Sequence, residues 1–256
     1  MDTKKSVQHQ FGKSAQDYVE SALHKSGKDL DILLKMAELT GKEKVLDVAT
    51  GGGHTANALA PFANEVSALD LTPEMLKAAE QFVTSNGHLN VKFVEGDAEN
   101  MPFDTASFDV VTCRIAPHHF PEIKAFVSEV ARLLKPGGLF LLDDNVAPEK
   151  DEWDVFYNTV EKWRDPSHFR AHKKTEWLSL IEDHDFEIEQ TVGIHKTFLF
   201  DSWFDRMQLP EEEKVKLSEF MLAASPAIQR KFRFEVQDKK LHSFVGEAFI
   251  VKARKF

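Results

Sequence analysis

The residues best suited to bind a ligand surround a run of three glycines, Gly51 to Gly53. A short apolar segment at 44–49 predicts a buried strand in front of them, and Asp47 lies near its end. A glycine-rich turn lets the backbone approach a ligand closely, and the N-terminus of the following helix offers free N–H groups and a partial positive charge. Asp70 ends the next apolar segment, where its carboxylate can accept hydrogen bonds from both ribose hydroxyls of an adenosine. The pattern therefore predicts a site for an adenosine-containing cofactor.

Two cofactor classes fit this turn. The spacing of Gly51, Gly53 and Ala56 matches the dinucleotide fingerprint G-x-G-x-x-G/A, so NAD binding stays open. Asp47 argues against NAD, because a carboxylate beside the glycines repels a pyrophosphate but attracts a positively charged ammonium group. Residues 96–98 (GDA) follow the third predicted strand, where an acid and a backbone N–H can read the edge of an adenine. We also find no separate segment that carries the residues of a hydride-transfer site.

Strands and helices alternate along residues 44–143. Thr72, Pro73 and Glu74 carry the start signature of a helix: a hydroxyl cap, a proline at the first position and an acid in the first turn. The alternation predicts βαβ units and a parallel sheet with right-handed crossovers. The predicted strands lie at 44–49, 65–70, 90–95, 108–113 and 139–143, and the predicted helices at 54–62, 72–85 and 121–134.

The segments outside this core are less regular. A helical pattern at 14–39 precedes the core. The last two predicted strands pair most simply as an antiparallel edge of the sheet, with a helical insertion between them. After residue 147 we predict helices at 152–163 and 175–184, one or two helices at 202–224, and strands at 186–198 and 243–253.

Five motifs occur in order along this pattern, and together they resemble those of class I S-adenosylmethionine (SAM)-dependent methyltransferases. The closest resemblance is to the ubiquinone/menaquinone-biosynthesis methyltransferase-like group, and it covers about residues 40–145. At the N-terminus, residues 11–18 (FGKSAQDY) look like the helix that covers the cofactor in that group. The ordered motifs are 45–53 (VLDVATGGG), 69–70 (LD), 95–103 (EGDAENMPF), 108–111 (FDVV) and 134–138 (LKPGG).

The resemblance implies a fold and a domain organisation. The expected fold is a Rossmann-like three-layer α/β sandwich, with a seven-stranded, mostly parallel sheet, an antiparallel last strand and a helical C-terminal insertion. Residues 1–256 would form a single methyltransferase domain. Within it, residues 1–40 would be a helical lid, 41–147 the SAM-binding core and 148–256 the substrate-side portion.

The resemblance also implies residue roles for a SAM cofactor. Asp47 and Gly51 would lie beside the methionine part, and Asp70 would bind the ribose. Ala49 stands where the general motif has its first glycine, as it does in relatives of the quinone type, and Gly52 replaces the usual threonine. The residues expected to contact SAM are Tyr18, Asp47, Ala49, Gly51, Gly53, Asp70, Leu71, Met75, Asp97, Ala98 and Arg114.

His118 and His119 are the candidates for catalysis, because they follow the fourth strand, at the edge where ligands bind in this fold. A histidine titrates near neutral pH and can take a proton from a hydroxyl or an acidic carbon. The alternative that His119 only caps or packs the short helix after it stays open. We expect Cys113 to be a small core residue, and we predict no metal site.

Aromatic residues are abundant, with 21 Phe and 4 Trp, and they can build a core or line a pocket for an apolar acceptor. The aromatic side chains that are candidates for such a pocket are Phe11, Phe120, Trp163, Phe169 and Trp177.

Charge and composition limit the classes of partner that the protein is expected to bind. The formal net charge of -10 disfavours binding to a nucleic-acid backbone, and residues 113–117 (CRIAP) lack the Asn/Asp-Pro-Pro-aromatic tetrad typical of nucleic-acid amino-group methyltransferases. The single cysteine fits a reducing compartment. No apolar run is long enough for a secretory signal or a membrane span. We therefore expect a cytoplasmic protein with a small-molecule substrate, no nucleic-acid partner and no membrane span; a homodimer stays open.

Three functions are compatible with the sequence. The first is a SAM-dependent methyltransferase that acts on a small-molecule acceptor, for example an aromatic or quinone-like one. The second is an NAD-dependent oxidoreductase. The third is a regulatory module that binds SAM without turnover.

Overall fold

The computed structural model describes residues 4, 5, 7, 8 and 27–256. Tyr18 and the rest of the motif at 11–18 lie outside the described residues, so the predicted contact between Tyr18 and SAM stays a prediction.

One mixed sheet organises the described part of the chain. Its strand order is β3-β2-β1-β4-β5-β8-β6, and a short β7 pairs with β8. Strands β1 to β5 are parallel, whereas β8 runs antiparallel to both β5 and β6. The strands are β1 (Lys44–Val48), β2 (Glu65–Asp70), β3 (Val91–Glu95), β4 (Phe108–Arg114), β5 (Leu134–Val146), β6 (Phe186–Leu199), β7 (Glu235–Gln237) and β8 (Lys240–Lys255). This architecture confirms the predicted Rossmann-like fold with its antiparallel last strand.

Helices connect these strands and cover the sheet. Helix α3 begins at Pro73 and ends at Ser85, as its start signature predicts, although the Thr72 hydroxyl does not cap it. Between residues 27 and 256 the α-helices are α1 (Lys28–Ala37), α2 (His54–Leu59), α3 (Pro73–Ser85), α4 (Ile123–Leu133), α5 (Asp151–Arg164), α6 (Lys174–Glu182), α7 (Phe200–Asp205), α8 (Glu211–Leu222) and α9 (Pro226–Lys231).

Two apolar cores fill the space between the sheet and its helices, one on each face. Neighbouring residues of β1 point to opposite faces, so Leu46 packs with α4 and α6, whereas Val45 packs with α1 and α2. A central parallel strand buried on both faces is therefore apolar along most of its length. The two cores fix the positions of the strands. The carboxyl ends of the parallel strands β1 to β5 lie at one edge of the sheet.

A third core lies in the C-terminal part of the chain. Aromatic side chains from α5, α7 and β8 form its centre, including Tyr157, Trp203 and Phe244. This core places α7 beside the ends of β6 and β8, and so brings distant residues to the carboxyl edge of the sheet. Within the described ranges, no helix combines the length and the apolar character needed to cross a membrane.

Three features differ from the predicted elements. Residues 135–138 belong to the start of β5 instead of forming a separate turn, and Gly137 takes a φ of 78° there. Strand β8 is longer than predicted at both ends. The short strand β7 was not predicted, because its three residues, all exposed, carry no apolar periodicity.

The cores predict the cost of truncating a buried leucine. Leu46 is fully buried in β1, whereas Leu89 is 87% exposed. We expect Leu46→Ala to lower the free energy of unfolding by about 2–5 kcal/mol, because it removes buried methyl groups and leaves a cavity. The same change at Leu89 should alter it by less than about 0.5 kcal/mol. Urea denaturation of both variants checks this; equal losses would contradict the assignment of the core.

Candidate functional site

A cavity of about 760 Å³ opens at the carboxyl ends of β1, β2 and β4. It extends from the glycine turn after β1 to the side chains of β6 and α7. Asp47 and Gly53 do not line it, and Tyr18 lies outside the described residues. The other predicted site residues all line this cavity: Ala49, Gly51, Asp70, Leu71, Met75, Asp97, Ala98, Arg114, His118 and His119. Their predicted roles are not tested by this placement.

The glycine turn is held in an uncommon backbone conformation. Ala49, Gly51 and Gly53 have φ angles of 53°, 55° and 82°. A Cβ atom on Gly53 would lie 3.0 Å from the Cβ of Ala79, so the missing side chain lets the turn pack against α3. Gly53 therefore allows a close approach within the protein, on the side away from the cavity.

Asp70 joins this turn to the turn after β2. Its Oδ2 accepts a hydrogen bond from the Gly51 N–H at 2.8 Å, and its Oδ1 accepts one from the Thr72 N–H at 2.9 Å. Burial raises the pKa of Asp70 despite these bonds. A carboxylate has about four lone-pair sites, so each oxygen keeps capacity for a further donor from the cavity.

Asp47 lies behind the turn, in the wall of the site. It accepts hydrogen bonds from the hydroxyls of Thr50, at 2.6 Å, and Thr112, at 2.8 Å. Burial raises the pKa of Asp47 to about 6, and these hydrogen bonds oppose the rise. In this structure Asp47 braces the turn, and its predicted contact with the methionine part of SAM stays a prediction.

Residues near the N-terminus cover one end of the cavity. The Lys4 ammonium group pairs with the carboxylates of Asp97 and Glu99. The Gln8 side-chain amide donates a hydrogen bond to the carbonyl of Leu71 at 3.0 Å. Asp97 also accepts a hydrogen bond from the Glu99 N–H at 2.9 Å, which fixes the turn after β3. The turns after β2 and β3 are thus tied to the start of the chain.

A cluster of four charged residues lies at the ends of β4, β5 and β6. Arg114 donates a hydrogen bond to Asp29 at 2.8 Å, and its Nε lies 3.5 Å from Asp143. The ammonium group of Lys196 lies 3.4 Å from the same Asp29 oxygen. Burial alone would raise the pKa of Asp29, but Lys196 and Arg114 outweigh it and hold that pKa well below its usual range. Burial raises the pKa of Asp143 to about 7, and the nearby Asp29 carboxylate adds to the rise.

His118 is held by a second buried aspartate. Its Nδ1 lies 2.6 Å from Oδ1 of Asp144, which also accepts the N–H of Asn145 at 2.9 Å. Burial alone would lower the pKa of His118, but the Asp144 carboxylate outweighs that effect and raises it. The pair can accept a proton from a bound molecule and hold it as an imidazolium–carboxylate pair.

His119 has a different environment. Its Nδ1 lies 3.1 Å from the carbonyl oxygen of Ser167, and its Nε2 lies 4.0 Å from Asp165. The rings of His118 and His119 are 4.2 Å apart, centre to centre. Burial and the neighbouring His118 lower the pKa of His119 to about 4, so His119 is neutral near pH 7. The surroundings of these two adjacent histidines thus shift their pKa values in opposite directions.

The far side of the cavity combines aromatic side chains with charged and polar ones. Of the five predicted pocket aromatics, only Phe120 is among the described lining residues, and Phe11 lies outside the described ranges. Sequence reasoning missed Phe198 and Trp203, which line this side. The guanidinium of Arg164 lies 4.6 Å from the centre of the Trp203 ring. The rings on this side of the cavity suit contact with a flat molecule.

Metal ligation has no support from the described part of the chain. We find no group of three or more His, Cys, Asp and Glu side chains there that could hold a metal ion. Cys113 is buried in the core between the sheet and α4, where burial raises the pKa of its thiol well above the usual value.

Comparisons with known proteins identify relatives over nearly the full chain. A family model described as a methyltransferase domain matches residues 46–142. The uncharacterized methyltransferase YcgJ of Bacillus subtilis (strain 168) is 35% identical over 246 residues, which are 96% of this chain and 97% of that protein. The ubiquinone biosynthesis O-methyltransferase of Xanthomonas oryzae pv. oryzae is 30% identical over 192 residues, which are 73% of this chain and 78% of that protein.

Solved structures are similar over the same range. A crystal structure of a protein from Bacillus halodurans C-125 that is assigned to the methyltransferases is 53% identical and superposes with a TM-score of 0.88. The crystal structure of YcgJ superposes with a TM-score of 0.85 at 34% identity. Each comparison covers 90% of this chain and 99% of the other chain.

The charged cluster predicts a pH-dependent effect of Asp143→Asn. The pKa of Asp143 is raised to about 7, so between about pH 4 and 7 the folded protein holds a proton that the unfolded chain releases. Ionisation of Asp143 therefore removes stability as the pH rises through this window. Asparagine cannot ionise, and we expect the stability of the variant relative to the natural protein to rise by up to about 1.4 kcal/mol per pH unit across the window.

Urea denaturation at several pH values between 4 and 8 measures this difference. Asp104→Asn, at an exposed position, controls for the substitution itself. A difference between Asp143→Asn and the natural protein that stays constant from pH 4 to 7 would contradict the shifted pKa.

Proposed function

The chain belongs to the class I SAM-dependent methyltransferases, and from this premise we propose that it transfers the methyl group of SAM to a small-molecule acceptor bound in the same cavity. SAM supplies a methyl group on a positively charged sulfur, which is open to direct displacement. The protein has to hold the acceptor in line with that methyl group and keep water away. The observation that carries the proposal is that one cavity contains both the glycine turn with Asp70 and the two histidines.

The residues at the first end of the cavity fit SAM chemically. We propose that Asp70 accepts hydrogen bonds from the ribose, because it lines the cavity and both of its oxygens keep spare lone pairs. Leu71 and Met75 would pack on the adenine, and Asp97 and Ala98 would read its edge. Asp47 would act from behind the turn, where its carboxylate favours a positively charged ligand at short range.

The other end of the cavity supports a small, flat acceptor. Phe120, Phe198 and Trp203 line the cavity, and the last two come from the C-terminal portion that we propose to be the substrate side. An aromatic or quinone-like acceptor suits these rings by stacking or edge contact. A volume of about 760 Å³ lies within the usual range for a small-molecule site, and a macromolecular acceptor would have to insert only a single group.

The Asp70 carboxylate gives the sharpest test of the cofactor site. We expect Asp70→Ala to weaken SAM binding roughly tenfold to a hundredfold, because a charged hydrogen-bond acceptor contributes about 1.5–3 kcal/mol. Isothermal titration calorimetry with SAM and with S-adenosylhomocysteine measures this. Asp104→Ala, at an exposed site outside the cavity, should bind SAM as tightly as the natural protein.

Three outcomes would oppose the proposal in different ways. Unchanged SAM affinity in Asp70→Ala would refute the ribose contact. Absence of SAM binding by the natural protein would refute the cofactor. Tight SAM binding without transfer of a labelled methyl group to any metabolite of a cell extract would favour a regulatory module instead.

A further inference from the structure

The pair formed by His118 and Asp144 is built so that one imidazole nitrogen is held and the other is left for a ligand. Asp144 is fully buried at the carboxyl end of β5. Its Oδ1 contacts Nδ1 of His118 at 2.6 Å and the N–H of Asn145 at 2.9 Å. An ionised carboxylate only accepts hydrogen bonds, so in the neutral imidazole Nδ1 carries the proton and Nε2 keeps its lone pair.

The ring of His118 is also fixed by its neighbours. It lies 4.2 Å from the ring of His119 and 5.4 Å from the ring of His168, measured between centres. His118 lines the cavity, and among the described residues no partner is found for its Nε2. The geometry therefore presents a basic nitrogen to the molecule that occupies the acceptor end.

The charged groups around His118 come from several elements. Asp144 lies on β5, Glu161 on α5, and Asp165 directly after α5. All three carboxyl groups favour the protonated imidazole, and burial opposes it. His119 is neutral near pH 7, and burial together with His118 and His119 keeps the pKa of His168 well below its usual range. A proton taken up in this cluster therefore resides on His118.

A base at this position is informative about the acceptor. Direct methyl transfer needs no base when the acceptor is an uncharged amine or a thioether, which attacks through its own lone pair. An aliphatic hydroxyl ionises too weakly for an imidazole to help much. A phenolic hydroxyl, which like tyrosine ionises near pH 10, lies within a few pH units of histidine, where proton transfer to a positioned base is effective.

We propose that the acceptor is a small phenol or enol that is methylated on oxygen, that His118 takes its proton, and that Asp144 is the positioning residue for His118. This inference rests on the proposed function. The acceptor O–H bond breaks and its proton passes to Nε2 of His118. An oxygen lone pair forms the new O–C bond while the S–C bond breaks, and that electron pair stays on sulfur. The products are a methyl ether and a neutral thioether, and His118 later returns the proton to solvent.

Two further observations agree with a phenolic acceptor. The cavity that His118 lines also carries the rings of Phe120, Phe198 and Trp203, which suit a flat ring. The Trp203 ring is itself held by the guanidinium of Arg164 on one side, at 4.6 Å. An aromatic alcohol thus finds both a base for its hydroxyl and rings for its carbon skeleton in the same cavity.

The test compares phenols with an amine of similar shape. Catechol, 4-nitrocatechol and aniline are incubated with labelled SAM and with the natural protein, His118→Gln, Asp144→Asn or His242→Gln, and the products are identified by mass spectrometry. His242 is an exposed histidine near the start of β8, so His242→Gln is the matched control. We expect methyl ethers from the phenols and no methylated aniline. For catechol, His118→Gln should lower kcat about a hundredfold or more.

Comparing phenols of different acidity distinguishes a base at His118 from a purely structural role of this residue. 4-Nitrocatechol ionises near neutral pH without a base, so His118→Gln should slow its methylation much less than the methylation of catechol. In the natural protein the rate should rise with pH as His118 loses its proton. In Asp144→Asn that rise should move to lower pH, because the carboxylate that raises the pKa of His118 is gone.

Nuclear magnetic resonance supplies a readout that needs no turnover. Titration of the imidazole signals, with S-adenosylhomocysteine bound, should show the pKa of His118 falling in Asp144→Asn and unchanged in His242→Gln. An unchanged pKa in Asp144→Asn would overturn the positioning role.

Two results would overturn the base and the acceptor class. One is catechol turnover in His118→Gln at the natural rate. The other is methylation of aniline, or of neither phenol, by a protein that binds SAM normally. Failure of SAM binding would instead refute the proposed function itself, so the two failures are distinguishable.

Discussion

The carboxylate of Asp70 joins the two turns that open the cavity. By accepting the N–H groups of Gly51 and Thr72, it fixes the turn after β1 relative to the turn after β2. The two turns lie side by side because β1 and β2 are parallel neighbours in the sheet. The first end of the cavity, and with it the proposed place of the adenosine, depends on this one buried group.

Buried charge shapes the other end. Asp143 and Asp144 follow each other in β5, yet they point to opposite faces and do different things. Arg114 pairs with both Asp143 and Asp29, and this contact holds helix α1 against the sheet. Asp144 holds His118. Because a buried charge is costly without a partner, these contacts favour fixed positions for Arg114 and His118, which line the cavity. Direct displacement requires such fixed positions of the groups that hold the acceptor.

Much of the fold could be predicted from the sequence, because alternating apolar segments and turn residues are local signals. The strand from Phe108 and the helix from Pro73 are found within a residue or two. Residues that follow the strands, such as Asp70 and His118, could also be placed at one edge, since parallel strands bring their carboxyl ends together.

The site residues that could not be predicted make contacts with residues far away along the chain. Asp144 lies 26 residues from His118. Phe198 lies at the end of β6, and Trp203 belongs to the helical insertion after it, and both line the cavity. A signal for Asp144 existed: two consecutive acids at the end of an apolar strand need partners. Asp47 was expected beside the ligand, but the sequence alone could not show that Thr50 and Thr112 would hold it in the wall.

The most direct measurement is a crystal structure of the protein bound to S-adenosylhomocysteine. We expect the ribose hydroxyls to contact Asp70, and the sulfur to face the part of the cavity that His118, Phe198 and Trp203 line. An adenosyl group bound elsewhere, or a sulfur that faces away from His118, would contradict the claim that one cavity holds both the methyl donor and its acceptor.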